Sequence, residues 1–325
     1  MISYFDAHCD TIYRCEMTGA DIALDFGAEQ EQTAYFADCT CLRKNRGHID
    51  LVRGSDFARY AQIFALFYDA KDPAPKGLWE MCNRLHDRFL REMQENSDMV
   101  RQCFSGADVD VAVASGKTAA MLSVEGADLL ECDAGRLETA AQWGVKFLNP
   151  VWNRANVLSG TNAEEPERGL SPQGKEFIRQ LENCGIYADV SHLSDAGFWD
   201  LIRMTTRPIV ASHSNSRAIC GHRRNLTDDM FRAIRDTGGV VGLNLYRDFV
   251  GDDRMDTLVA HIEHFLELGG EKTLCMGGDL DGCEALAAGM NGMEDVPHLY
   301  EVLKKRGYDE ALLEDLFWNN LRRLF

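Results

Sequence analysis

The chain has 325 residues, 45% of them hydrophobic and 26% charged, the proportions of a folded globular protein rather than a disordered or fibrous one. Its formal net charge of −18, from 52 acidic against 34 basic residues, argues against a nucleic-acid partner, because phosphate binding needs Lys and Arg gathered on one face. No apolar run reaches the roughly 18 residues that a membrane span needs.

Short apolar, β-rich runs alternate with longer helical patterns, with no internal repeat and no low-complexity segment. Strands are expected at 3–7, 62–67, 119–124, 145–148, 186–190, 208–212, 240–245 and 273–277. Helices are clearest at 76–95, 172–183, 195–204, 228–236 and 255–268. Ser171 before Pro172, and Thr227 before an acidic first turn, mark two of the helix starts. A terminal helix at 309–325 is expected to pack on the outside. Strands separated by helices in this way predict one (β/α)8 TIM barrel over residues 1–325. An open doubly wound sheet gives the same alternation, but no G-x-G-x-x-G turn follows an early strand.

The eleven cysteines include no C-x-x-C pair and form no framework, so free thiols in a reducing compartment are expected. The first residues read as a strand rather than a secretion leader, and a cytoplasmic protein is the expectation.

Barrel active sites are built where strands end. The first strand ends in Asp6-Ala7-His8-Cys9-Asp10, and residues two apart in extended backbone point to the same side, so His8 and Asp10 converge. A nitrogen and a carboxylate oxygen so arranged suit zinc. The run at 119–124 ends in Glu125, a carboxylate that is costly to bury unless it is paired or coordinated; helix capping or an arginine partner is the alternative. Two neighbouring strands each deliver Ser-His, at His192 and His213, and the last delivers Asp279. One metal could take His8 and Asp10 and the other His192 and His213, with Glu125 between them. Two ions about 3.5–4 Å apart polarise a carbonyl and supply a hydroxide nucleophile. Asp279 would orient that water and pass its proton to the leaving amine. No G-x-S-x-G elbow is present, so covalent catalysis lacks comparable support.

The segments D-A-H-C-D-T at 6–11, S-V-E-G-A-D at 123–128, D-V-S-H at 189–192, A-S-H-S at 211–214, R-R-N-L-T-D-D at 223–229 and G-G-D-L-D-G at 277–282 resemble the membrane (renal) dipeptidase family, peptidase family M19, in the family's own order. The resemblance implies a (β/α)8 barrel holding two zinc ions, with His8, Asp10, Glu125, His192 and His213 as ligands and Glu125 as the bridge. It implies a catalytic role for Asp279, recognition of the substrate's terminal carboxylate by Arg224, and Tyr246 lining the same pocket. The implied substrate is a small dipeptide, and a homodimer is usual for the family. Renal-type members carry a further histidine after the fourth strand; Trp152 stands at that place here, which puts the substrate range in question.

Another binuclear amidohydrolase, such as an N-acyl amino acid deacylase or a lactam hydrolase, is the rival within enzymes. Such enzymes usually open with H-x-H and often bridge with lysine, whereas this chain has H-x-D and Glu125. A catalytically silent binding barrel is the rival outside them. His261 and His264 lie at i, i+3 on an expected helix and read as a surface pair, and Arg224 alone reads as an ion pair with Asp228 or Asp229. His222, beside Arg224, reads equally as a substrate contact or a loop histidine without a role, His48 carries no signal, and Asp281 reads as a loop or capping residue.

Overall fold

A computed structural model describes residues 1–18, 39–72, 74 and 76–325 of the chain. Each of the eight expected strands is present: β1 Ser3–Cys9, β2 Arg59–Phe67, β4 Thr118–Glu125, β5 Val145–Asn149, β6 Tyr187–Ala188, β7 Val210–Ala211, β8 Val240–Leu243 and β9 Leu274–Met276. A short additional strand, β3 Val100–Gln102, pairs with the start of β4 and lies off the main path. The main order is β6-β5-β4-β2-β1-β9-β8-β7, with every pairing parallel. Its two ends meet through a parallel bridge between Asp189 and Val210, where the Val190 N–H donates to the Val210 carbonyl at 2.8 Å. The ring therefore closes as a (β/α)8 barrel rather than spreading as an open sheet.

Period-two alternation explains the two cores. Phe5 and Ala7 of β1, Ala61 and Ile63 of β2, and Ala119 and Met121 of β4 join one buried cluster, the barrel interior. Their neighbours Tyr4, Tyr60, Phe64, Ala120 and Leu122 join the larger cluster beneath the helices. The helices bury their apolar stripes there, as in Pro172–Asn183 with Phe177, Ile178 and Leu181 inward. Both expected helix starts are capped: the Ser171 hydroxyl accepts from Gly174 N–H at 3.0 Å, and the Thr227 hydroxyl from Met230 N–H at 3.3 Å.

One irregularity matters for function. Asp6 pairs with Gln62 but Cys9 pairs with Phe64, so β1 carries one extra residue. Such a bulge re-aims side chains next to it. Ala7 faces the interior and Cys9 the helices, while His8 between them still turns into the barrel mouth.

The segment expected to pack outside instead forms the barrel's floor. Helix Glu310–Glu314, the π-helical turn Asp315–Asn319 and helix Asn320–Arg322 run under the strands. They place Trp318, Leu321 and Leu324 in the interior cluster, because the wide apolar end of the barrel needs a cover. The Trp318 ring lies 5.5 Å from Phe5, with the Arg59 guanidinium 4.3 Å from its centroid. No helix among the described residues is long and apolar enough to cross a membrane.

Trp318→Ala should destabilise the fold by about 3–5 kcal/mol, since it empties a fully packed site. Denaturant unfolding checks this, and a loss below about 1 kcal/mol would show that the floor is not needed.

Candidate metal centre

All five predicted ligands and Asp279 meet at the barrel mouth, each delivered by a strand end. His8 and Asp10 follow β1, Glu125 ends β4, His192 and His213 follow β6 and β7, and Asp279 follows β9. Three overlapping ligand groups form among the described residues: His8, Asp10 and Glu125; Glu125, His192 and His213; and, between them, His8, His213 and Asp279. Within each group the ligand atoms lie within 4.8 Å of one another. The Glu125 carboxylate divides between the first two. Its Oε2 is 3.7 Å from His8 Nε2, while its Oε1 is 2.7 Å from His192 Nε2 and 3.5 Å from His213 Nε2. Asp10 Oδ2 lies 3.3 Å from His8 Nε2, and Asp10 Oδ1 is buried with no hydrogen-bond partner.

The donor set fits divalent cations. His192 Nδ1 is 3.1 Å from the Asn153 amide oxygen, an acceptor, so its proton sits there and the lone pair of Nε2 faces inward. His192 Nε2 and His213 Nε2 stand only 3.0 Å apart, two donors aimed at one point. Burial holds both imidazoles well below their ordinary pKa and hence neutral, the form that binds metal. His8 goes the other way. Burial lowers it, but Glu125, Asp10 and Asp279 together outweigh that and hold it at about 10. Burial likewise pushes the Glu125 and Asp279 carboxyls up. Three buried carboxylates in one mouth are costly without positive charge, and a proton on His8 partly supplies what a cation would supply fully.

Two further carboxylates, which sequence reasoning passed over, tie the ligand-bearing strands together. Asp6 accepts from the Tyr4 hydroxyl, from His8 N–H at 2.9 Å and from Gly278 N–H at 2.9 Å, joining the strand end of His8 to that of Asp279. Asp189 Oδ1 accepts from Ser191 N–H at 3.0 Å, Ser191 Oγ at 2.7 Å and Ser212 N–H at 3.1 Å, joining the strand ends of His192 and His213. Both carboxylates are buried and close across neighbouring strands. Their signal lay in the motifs D-A-H and D-V-S-H, each with Asp two or three residues before its histidine.

Asp279 sits at φ 56°, in the left-handed region, and Asp281 at φ 64°. The Asn244 amide donates to Asp279 Oδ2 at 3.0 Å, leaving Oδ1 3.9 Å from His8 Nε2. A Cβ on Gly282 would lie 2.3 Å from oxygens of both Asp10 and Asp279, so a side chain there would displace both carboxylates from the centre. Asp281 is the loop residue expected: it accepts from the Thr11 hydroxyl at 2.6 Å and the His48 N–H at 2.6 Å. His48, which carried no signal, accepts in turn from Asp281 N–H at 2.9 Å and so braces the Asp279 turn.

The centre opens into a pocket of about 680 Å³. Arg224, Tyr246 and Trp152 all line it. Arg224 does not pair with Asp228 or Asp229, which go to His264 and Arg232. It is buried, with Nη2 3.0 Å from His192 Nε2 and Nη1 lacking any partner. Its guanidinium lies 5.1 Å from the Phe249 ring. The Tyr246 hydroxyl donates to Asp248 at 3.0 Å. The Trp152 ring is 4.8 Å from Phe67 and 6.2 Å from His192.

The reading of His261 and His264 as a surface pair is corrected. His261 is fully buried, accepting from Ser216 N–H at 3.1 Å and reaching the Val250 carbonyl at 3.0 Å, while His264 pairs with Asp228 at 2.8 Å. Position 261 falls on the apolar stripe of Leu258, Ile262 and Phe265, a periodicity that marked it as inward. His222 accepts from Arg224 N–H at 3.2 Å and shapes that loop.

Asn153→Ala, which removes the partner of His192 Nδ1, should weaken divalent-metal binding by about 10- to 100-fold. Titration of metal-stripped protein measures this, and unchanged affinity would remove Asn153 from the centre.

The model of the membrane dipeptidase family (peptidase family M19) matches residues 1–325. An uncharacterized Klebsiella pneumoniae protein from the pqqA 5′ region is 35% identical over 238 residues, 69% of this chain and 88% of its own. An uncharacterized dipeptidase of Schizosaccharomyces pombe is 29% identical over 309 residues, 86% and 71% of the two chains. Among solved structures, a dipeptidase of family M19 superposes with a TM-score of 0.83 at 25% identity, over 99% of this chain and 97% of that one. A metallo peptidase from Rhodobacter sphaeroides, solved with a phosphinate mimic of L-Ala-D-Ala, has the same fold: TM-score 0.83, 24% identity, 99% and 98% coverage. The chain belongs to the membrane dipeptidase family, peptidase family M19, and is a metal-dependent dipeptidase of that family.

Proposed function

We propose that this enzyme hydrolyses small dipeptides with two zinc ions, one held by His8 and Asp10, the other by His192 and His213, with Glu125 serving both. The observation that carries this reading is the divided Glu125 carboxylate, one oxygen toward each ligand group. Bound divalent ions would supply a Lewis acid for the scissile carbonyl and a water acidic enough to attack it near neutral pH.

The protein's own groups do the rest. Arg224 brings a buried cation with an unpartnered Nη1, a site that a substrate carboxylate completes with a charge-assisted hydrogen bond. Asp279, held by Asn244 and with its carboxyl raised by burial, takes a proton from the attacking water. It returns that proton to the amide nitrogen as the C–N bond breaks, so that water adds across the peptide bond and two amino acids leave. Tyr246 and Trp152 line the walls between which the substrate lies. Eleven free cysteines support a reducing compartment such as the cytoplasm.

A chelator should abolish dipeptide hydrolysis, and two equivalents of zinc per chain should restore it; full activity in metal-free protein would overturn the reading. Arg224→Ala should lower kcat/KM by about 10- to 100-fold, chiefly through KM, because the carboxylate contact exists in ground and transition states alike. Steady-state kinetics decide this, and a collapse of kcat at unchanged KM would give Arg224 a different role.

A further inference from the structure

Barrel order fixes which loops face each other across the metal centre. Counting round the ring β1-β2-β4-β5-β6-β7-β8-β9, the loop after β7, which carries Arg224, stands opposite the loop after β2. That opposite loop contributes Phe67 and Asp72 to the pocket. Trp152 from the loop after β5 and Tyr13 from the helix after β1 flank it. The three rings are continuous: Tyr13 to Phe67 at 5.2 Å edge-on, and Phe67 to Trp152 at 4.8 Å.

Asp72 stands beside this aromatic wall. The cations that act on it pair elsewhere, Lys71 with Asp69 at 3.6 Å and Arg154 with Glu164 at 3.1 Å and Asp69 at 3.5 Å. Among the described residues its carboxylate has no ion-pair or hydrogen-bond partner. Burial, and after it Asp69, push the Asp72 carboxyl up, as expected of a carboxylate left without a partner.

A dipeptide whose carboxylate meets Arg224 and whose scissile carbonyl lies over the metal centre must extend its amino-terminal residue toward the β2 loop. We propose that Tyr13, Phe67 and Trp152 form a slot for the side chain of that residue, and that Asp72 at the slot makes the enzyme favour lysine or arginine there. The inference rests on the dipeptidase reading above and adds the substrate class. Aromatic faces and a carboxylate together suit a long aliphatic stem with a cationic head: the stem packs on the rings, and the head meets ring quadrupoles and the acid. Alanine or glycine would leave the slot empty, and glutamate would bring two acids together.

The test is a panel of dipeptides with alanine at the carboxyl end and Lys, Arg, Leu, Glu or Gly at the amino end. Wild type should show its highest kcat/KM on Lys-Ala and Arg-Ala. Asp72→Asn should lower kcat/KM on these two by about fivefold, the scale of a partly exposed charge pair, and leave Leu-Ala within twofold. Asp72→Lys should raise Glu-Ala relative to Lys-Ala. Trp152→Ala should lower Lys-Ala, Arg-Ala and Leu-Ala several-fold more than Gly-Ala, which brings no side chain to the slot. An equal loss on every substrate in Asp72→Asn would place the acid on the α-ammonium group instead and overturn the proposal. Wild type active on the panel without a basic preference would overturn this inference alone. Wild type inactive on all five would overturn the dipeptidase reading with it.

Discussion

Burial of like charge is the constraint on which the rest depends. Asp10, Glu125 and Asp279 converge at the barrel mouth almost out of contact with water, and carboxylates so placed repel one another strongly. Positive charge between them relieves that repulsion, and three imidazoles with inward-facing nitrogens give that charge a defined place. The β1 bulge, the left-handed backbone at Asp279 and the close approach of Gly282 to two carboxylates all lie where the ligand atoms converge. Each is a local departure from regular structure, and the closed barrel with its Trp318 floor is the rigid frame that holds them.

That frame is tied twice from beneath. Asp6 joins the strand ends of His8 and Asp279, and Asp189 joins those of His192 and His213. One tie therefore lies under each ligand group, with Glu125 spanning the two. The pairing gives a physical reason for the aspartates that precede His8 and His192 in sequence: they do not touch the centre, but they set the backbone from which the ligands project.

Much of this was legible in the sequence because the ligands obey a simple rule, an apolar strand run ending in a metal-binding side chain. His8, Asp10, Glu125, His192, His213 and Asp279 all follow it, and the same runs that located them also gave the barrel. What escaped notice depends on contacts between segments far apart in the chain. Nothing near His48 shows that it will accept from Asp281, 233 residues later. Strand β3 is three residues long with only Val100 buried, too short for alternation to show. The terminal segment reads as an outer helix; that its apolar residues cover the barrel's end follows only from closure of the ring. His261 differs: its spacing from His264 suggests an exposed pair, while the apolar stripe of Leu258, Ile262 and Phe265 on which it lies turns it inward.

The most direct test of the two-ion account is a crystal structure of the zinc-loaded enzyme with anomalous diffraction at the zinc edge. The account predicts two peaks about 3.5–4 Å apart, one beside His8 and Asp10 and one beside His192 and His213, with a Glu125 oxygen on each. A single peak, or Glu125 turned away from both, would contradict it.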